Sequence, residues 1–334
     1  MLKEKRDMTQ FDKRKGQEKS ARVRELTHGE IGEINSPIGR LYTVEGRHLA
    51  LHSSGSGGPA VAFLPGAGLV GLDFLNIHNQ ISQFTTSVLY DRAGTGWSDQ
   101  VALPRTATEV ADELRSLLHE AGVNAPYLLV GHSLGGAYAQ RYAQRWPSEV
   151  AGLLLLEPAR EDYFAHVPRQ TLLDRLRGIL ATLRLVLHYK AFYRGMFRQM
   201  FASWPEALRE PLIDWHLRNL MKTLQEWPAA DRTGTGSLFT ELRNGGDLPD
   251  VPLIVLCALG IDPSMAATMS ESYLRTINDG KRVLYRTLAA SVPRGEYREV
   301  EHAGHTTLHT DRPDAVIRAI HDLVERIRDG DTRS

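Results

Sequence analysis

Two hydrophobic rhythms alternate along the chain. Short apolar runs of strand length stand at Ala60–Leu64, Ser87–Tyr90, Tyr127–Val130, Val150–Leu156 and Pro252–Cys257, with a last short one at Tyr297–Val300. Val150–Leu156 is apolar almost throughout, the pattern of a strand covered on both faces. Helical periodicities run between the strands. The stretch from Thr106 to about Ala121 predicts a helix: Thr106 and Glu109 fit a capping box, Val110, Leu114, Leu117 and Leu118 share one face, and Gly122 closes it. Leu134–Trp146, stopped by Pro147, and Asp314–Arg328 predict two more. Leu41–Val44 and His48–Leu51, around Glu45-Gly46, predict an opening hairpin. Repeated strand–helix alternation implies an α/β fold, with a mostly parallel sheet flanked by helices.

The rhythm changes between about Pro158 and Asp250, where no strand pattern appears. Leu173, Leu176, Leu180, Leu183 and Leu187 recur at helical spacing, and a run of aromatic and Met residues follows from Tyr189 to Trp204. This predicts a helical cap over 158–250, inserted into a core made of 36–157 and 251–330. The leucine stripe is expected to pack between cap and body. Arg175, Arg177, Arg184, Lys190, Arg194 and Arg198 on its polar side keep a membrane-surface helix as the alternative. Residues 1–35 are dense in charge of both signs and predict a disordered tail without a signal-type apolar stretch.

Charge adds little. Lys+Arg and Asp+Glu balance at 40 each, so nothing global points to nucleic acid, and a small molecule is the expected partner. No stretch reaches the ~18 apolar residues of a membrane span. Cys257 is the single cysteine, which rules out an intrachain disulfide. It lies in an apolar run, reads as a buried core thiol, and fits a cytoplasmic protein.

The chemistry concentrates at Gly131-His132-Ser133-Leu134-Gly135, a G-x-S-x-G sequence followed by Gly136. A predicted strand leads into it and a predicted helix leads out. A serine on so tight a turn needs small neighbours, and the helix N-terminus favours developing negative charge. Its hydroxyl needs a base, and the base needs an orienting carboxylate. His305, after Ala303-Gly304, is the expected base, chosen over His302; His132 and His309 read as local hydrogen-bonding groups. Two acids end predicted strands. Asp262 is placed first and Glu157 is the alternative. The backbone amides of Leu134 and Ala67, the latter in Pro65-Gly66-Ala67-Gly68, are the candidate oxyanion donors. The same loop also spells G-x-G-x-x-G from Gly66 to Gly71, with Asp91 about 20 residues on, so an NAD(P)-binding dehydrogenase is a second reading. The late histidines have no HExxH pattern or thiol cluster beside them, so no metal is expected.

Taken in order, Pro65-Gly66-Ala67-Gly68, the turn Asp91-Arg92-Ala93-Gly94-Thr95-Gly96-Trp97-Ser98, Gly131–Gly136, Ala303-Gly304-His305 and Asp311-Arg312-Pro313 resemble the α/β-hydrolase superfamily, in its capped esterase-like branch. The resemblance covers about 39–327 and implies the α/β-hydrolase fold. It also implies a Ser-His-acid triad without a cofactor, and cleavage of a carboxylic ester of a small apolar substrate. Members that run lyase or haloperoxidase chemistry on the same triad are the alternative. Two positions depart from the family pattern. Pro65-Gly66 stands where His-Gly is usual, and Ala258-Leu259-Gly260 is one residue longer than the usual acid motif. The second departure keeps Glu157 beside Asp262.

Overall fold

Eight strands form one sheet in the order β1-β2-β4-β3-β5-β6-β7-β8. They are β1 Arg40–Val44, β2 Arg47–Ser54, β3 Ala60–Leu64, β4 Ser87–Tyr90, β5 Tyr127–His132, β6 Val150–Leu156, β7 Leu253–Ala258 and β8 Gly295–Val300. The computed structural model describes residues 36–167, 170–226 and 237–331; the expected tail lies outside them. The β1–β2 hairpin joins β4 antiparallel, and from β4 to β8 every pairing is parallel.

The central strands are buried on both faces because each face has its own helical cover. In β3, Ala60, Ala62 and Leu64 point into one hydrophobic cluster and Val61 and Phe63 into the other. β7 divides in the same way, Leu253, Val255 and Cys257 against Ile254, Leu256 and Ala258. The two-residue period of a strand thus feeds two cores at once.

The first helices of the body are α1 (Leu75–Ile81), α2 (Ala107–Glu120) and α3 (Leu134–Arg145). α2 begins as its sequence predicts. Thr106 Oγ1 accepts from Glu109 N at 3.1 Å and Glu109 Oε2 accepts from Thr106 N at 2.9 Å. Between β6 and β7 the described elements are helices, among them α4 (Leu172–Met200), α5 (Glu206–Arg218), α6 (Lys222–Glu226) and α7 (Ser237–Asn244). The structure then adds α8 (Glu271–Ala290) between β7 and β8, beyond the set the hydrophobic pattern predicts, and closes with α9 (Pro313–Asp331). α1 and α9 belong to one core cluster, α2, α3 and α8 to the other.

At the two positions whose side chains are described, the leucine stripe of α4 does not pack as expected. Leu176 and Leu180 are 52% and 61% exposed, while the side chains of Leu173, Leu183 and Leu187 lie outside the described residues. The anchoring falls instead on the C-terminal end of α4 and on α5. Phe197, Phe201 and Trp204 are buried together with Leu212 and Ile213. Trp204 Nε1 donates to Leu72 O at 3.0 Å and Trp215 Nε1 to Gly96 O at 2.9 Å. His216 Nε2 meets Asp73 Oδ1 at 2.8 Å, both buried, with Phe197 stacked on the imidazole. Arg194 and Arg198 pair with acids of α5. No helix among the described residues is long and apolar enough to cross a membrane.

Candidate active site

The carboxyl ends of β3, β5, β6, β7 and β8 lie side by side because those strands are parallel and adjacent. Loops leaving that edge therefore converge, as they do at the strand ends of open α/β sheets. Ser133 sits between β5 and α3 with φ 50° and ψ −117°, a left-handed backbone that a serine adopts only under constraint. The surrounding glycines make the turn possible. A Cβ on Gly135 would land on the carbonyl oxygen of Leu64, and one on Gly131 would meet Gly136 Cα at 2.6 Å. The turn is tied to β6 through Ser133 N donating to Leu156 O at 3.0 Å, and Ala159 N donates back to Ser133 O at 2.8 Å.

His305 arrives on the loop after β8. Gly304 lets that loop pass close to Asp262, and Gly260 N donates to Ala303 O at 2.8 Å. His132 Nε2 donates to the carbonyl of His305 at 2.9 Å. Thus held, the imidazole meets Ser133 Oγ at 3.1 Å through Nε2 and Glu157 Oε2 at 2.7 Å through Nδ1. A carboxylate only accepts, so the ring carries its proton on Nδ1 and turns the lone pair of Nε2 to the hydroxyl.

The carboxylate that reaches the imidazole is thus Glu157, not Asp262. The reason lies in what each acid already holds. Asp262 Oδ1 accepts from Ser264 N at 2.9 Å, from Met265 N at 3.1 Å and from Ser264 Oγ at 2.6 Å. Asp262 Oδ2 accepts from Thr306 N at 2.6 Å and Thr306 Oγ1 at 2.8 Å. It caps the short turn starting at Pro263 and anchors the residue after His305. Glu157, also left-handed at φ 46°, stands directly at the end of β6 and is fully buried. Its Oε1 accepts from Ala258 N at 2.9 Å and lies 2.8 Å from Lys281 Nζ. Burial alone would raise the Glu157 carboxyl, but the Lys281 ammonium and His305 hold it down at about 2.

The loop after β3 is braced from below and from the insertion. The buried guanidinium of Arg92 donates to Pro65 O at 2.8 Å and to Gly66 O at 2.7 Å, the second being the carbonyl of the peptide that carries the Ala67 amide. Glu226, the last residue of α6, binds Arg92 Nε at 2.8 Å and accepts from Gly68 N at 2.6 Å. The Ala67 amide has no acceptor among the described residues, and the first amide of a helix, here Leu134, has no intrahelical one.

The dinucleotide reading does not survive this geometry. Asp91 is buried, its Oδ1 accepting from Gly71 N at 2.8 Å and its Oδ2 from Trp97 N at 2.9 Å, so it is spent on the loop itself. Two smaller expectations divide. Cys257 is buried, and burial pushes its thiol up to about 12. His309 bonds nothing through its ring nitrogens among the described residues; it stacks on Phe74 at 4.6 Å. Sequence reasoning missed Lys281, Glu226 and the bracing role of Arg92. Lys281 alone left a signal, a charge on the apolar stripe Leu274, Ile277, Leu284 and Leu288.

Ser133 and His305 open into a cavity of about 640 Å³. Leu69, Leu224, Phe239, Met265, Leu274 and Ile277 supply its apolar wall. The aromatic cluster at Phe197, Phe201 and Trp204 belongs to the packing between insertion and body and takes no part in that wall.

Comparison with known proteins agrees with this architecture. Residues 61–319 match the alpha/beta hydrolase family. The uncharacterised protein YqjL of Bacillus subtilis is 34% identical over 134 residues, 39% of this chain and 53% of YqjL. The uncharacterised protein YbdG of the same organism is 21% identical over 301 residues, 87% of this chain and 86% of its own. The chain thus spans about half the length of the first of these relatives. Among solved structures, Cfl2 of Burkholderia cenocepacia superposes with a TM-score of 0.60 at 19% identity, covering 85% of this chain and 95% of that one. A thermophilic esterase from Thermogutta terrifontis gives 0.53 at 18% identity, covering 84% and 94%. The match spans most of the sequence and the sheet follows the same plan: the chain belongs to the alpha/beta hydrolase family.

Proposed function

We propose that the protein is a serine hydrolase that cleaves carboxylic esters through an acyl-enzyme on Ser133. The observation that carries this reading is the hydrogen-bonded line Ser133 Oγ, His305, Glu157, at 3.1 Å and 2.7 Å. His305 Nε2 takes the hydroxyl proton as Oγ attacks the carbonyl carbon. The proton then passes to the departing alkoxide, and water repeats the sequence in reverse to release the acid. Glu157 keeps the imidazole in its working tautomer and stabilises the cation that forms. The amides of Ala67 and Leu134 receive the oxyanion. Base assistance of this kind is worth ~10²–10⁴-fold and one oxyanion donor ~10²–10³-fold.

The wall of the cavity argues for an uncharged, largely apolar acyl group. Its volume, about 640 Å³, accommodates a drug-sized ligand. Two cationic side chains among the described residues line it, and both are matched. Arg160 binds Asp162 through two hydrogen bonds, and Lys281 faces Glu157. A substrate carboxylate would have to displace one of those partners.

Hydrolysis of p-nitrophenyl acetate and butyrate tests the reading. Wild-type turnover that disappears in Ser133→Ala supports it. Turnover that persists in Ser133→Ala removes it. A wild-type protein whose Ser133 takes up a fluorophosphonate but which hydrolyses no ester would move the assignment to a non-hydrolytic reaction on the same triad.

A further inference from the structure

We propose that Lys281 is a positioning residue of the triad: its ammonium is the fixed partner that keeps Glu157 ionised and sets the pH below which Ser133 stops reacting. The inference rests on the serine-hydrolase reading above.

Lys281 sits where the fold has no need of a charge. On α8 the buried positions Leu274, Ile277, Leu284, Tyr285 and Leu288 make one apolar stripe, and Lys281 lies within it, only 5% exposed. An apolar side chain there would satisfy packing. A buried ammonium is costly unless a countercharge and hydrogen bonds meet it. Both are present. Lys281 Nζ lies 2.8 Å from Glu157 Oε1 and donates to Ala258 O at 2.5 Å. Asn278, one turn earlier, donates to Leu259 O at 2.8 Å and pins α8 against the loop after β7.

The two oxygens of Glu157 are therefore divided. Oε1 belongs to Ala258 N and Lys281; Oε2 belongs to His305. Other titratable groups face this carboxylate from the surrounding elements: Tyr285 from α8, Cys257 from β7, Tyr163 from the stretch after β6 and His132 from β5, while Asp262 in the loop after β7 acts on His305. None of these is a cation in contact with Glu157. Arg160 lies farther along the cavity, bound to Asp162. A buried carboxylate without Lys281 would be driven toward its neutral form, and a neutral acid neither orients nor stabilises the imidazolium.

The direction of the pH effect follows from charge alone. Glu157 and His305 share protons as a pair, and a fixed positive charge beside the pair disfavours the next proton. Removing that charge favours it. Proton uptake that silences His305 as a base then occurs at higher pH, by about one pH unit or more for an opposite charge at this distance.

The experiment follows the rate of Ser133 modification by a fluorophosphonate between pH 5 and pH 9, in the wild type, Lys281→Met and Lys281→Arg. Lys281→Met is expected to move the acid midpoint upward by about one pH unit or more, while Lys281→Arg keeps it near the wild-type position. A uniform rate loss with an unmoved midpoint would mean that Lys281 only fills space, and the proposal would fall. An unmodified wild type would instead sink the serine-hydrolase reading itself. Should Lys281→Met not fold, Lys281→Gln supplies a polar donor without the charge, and the same upward move is expected. If neither neutral variant folds, carboxyl-carbon NMR of the wild type decides. The Glu157 signal should show at most the small displacement caused by a neighbouring charge from pH 7 to pH 5, and the full displacement of carboxyl protonation in that window would overturn the proposal.

Discussion

Replacing Glu157 by Gln should be far more damaging than replacing Asp262 by Asn. Around Glu157, among the described residues, Oε1 meets two donors, Ala258 N and Lys281 Nζ, whereas Oε2 meets only His305 Nδ1. The glutamine oxygen must therefore take the Oε1 place, and its NH₂ group must face the imidazole. A donor facing Nδ1 makes that nitrogen the acceptor and moves the ring proton to Nε2. Nε2–H then points at Ser133 Oγ, and the base is gone. Loss of the working tautomer costs about 10⁴-fold in kcat for a triad of this kind. In Asp262→Asn the amide oxygen can still serve Ser264 N and Met265 N, while its NH₂ group faces the amide of Thr306 and one hydrogen bond to an anion is lost. Such a bond is worth roughly 1.5–3 kcal/mol. Part of that falls on the stability of the loop, and kcat should drop by about tenfold at most. The assay is p-nitrophenyl butyrate hydrolysis at pH 8, with melting temperatures measured on the same samples. If Asp262→Asn lost as much activity as Glu157→Gln, the assignment of the orienting acid would be refuted.

Gly135→Ala should destabilise the protein by ~3 kcal/mol or more, because its Cβ would strike the Leu64 carbonyl. Helix propensity alone predicts a gain from the same change, so thermal unfolding distinguishes the two. Glu226→Gln leaves the Arg92 guanidinium buried without its countercharge, at a cost of about 3–5 kcal/mol. It should also loosen the Ala67 amide and lower kcat by ~10²-fold with KM little changed; a stability loss with intact kcat would detach the ion pair from the oxyanion loop. Burial holds His78, His132 and His309 down at about 3 against an ordinary 6.5, so the unfolded chain binds protons that the folded one refuses. Their contribution is complete above pH 6.5 and is lost as pH falls, each site adding about 1.4 kcal/mol per pH unit to the slope. Asp91, pushed up to about 6 by burial, acts in the opposite direction and offsets about one of the three. Chemical denaturation at pH 7 and pH 5 should show a clear loss at the lower pH; equal stabilities would contradict the burial of these rings.

How far the sequence carried depended on how local each signal was. β3, β4 and β6 are legible to the residue because an apolar run bounded by turn residues is a local pattern. Ser133 is legible because the glycines its turn needs lie within three positions of it. His305 follows from a small-residue loop after a strand. The orienting acid was not decidable locally. Asp262 and Glu157 both follow strands, and only tertiary contact shows that Ser264, Met265 and Thr306 occupy one while His305 meets the other. Glu226 and Arg92 are 134 positions apart, and nothing along the chain announces their pairing. The leucine stripe of α4 misled because periodicity marks a face without saying what covers it. At Leu176 and Leu180 the described structure leaves that face exposed.

The central claim is that the Ser133 hydroxyl is activated by the imidazole beside it. Peptide mass mapping after brief exposure to a fluorophosphonate tests it most directly, with His305→Ala treated in parallel. The account predicts one phosphonyl group per chain, on the peptide containing Ser133, in the wild type, and almost none in His305→Ala. Equal modification of both proteins, or an adduct on another residue, would contradict it.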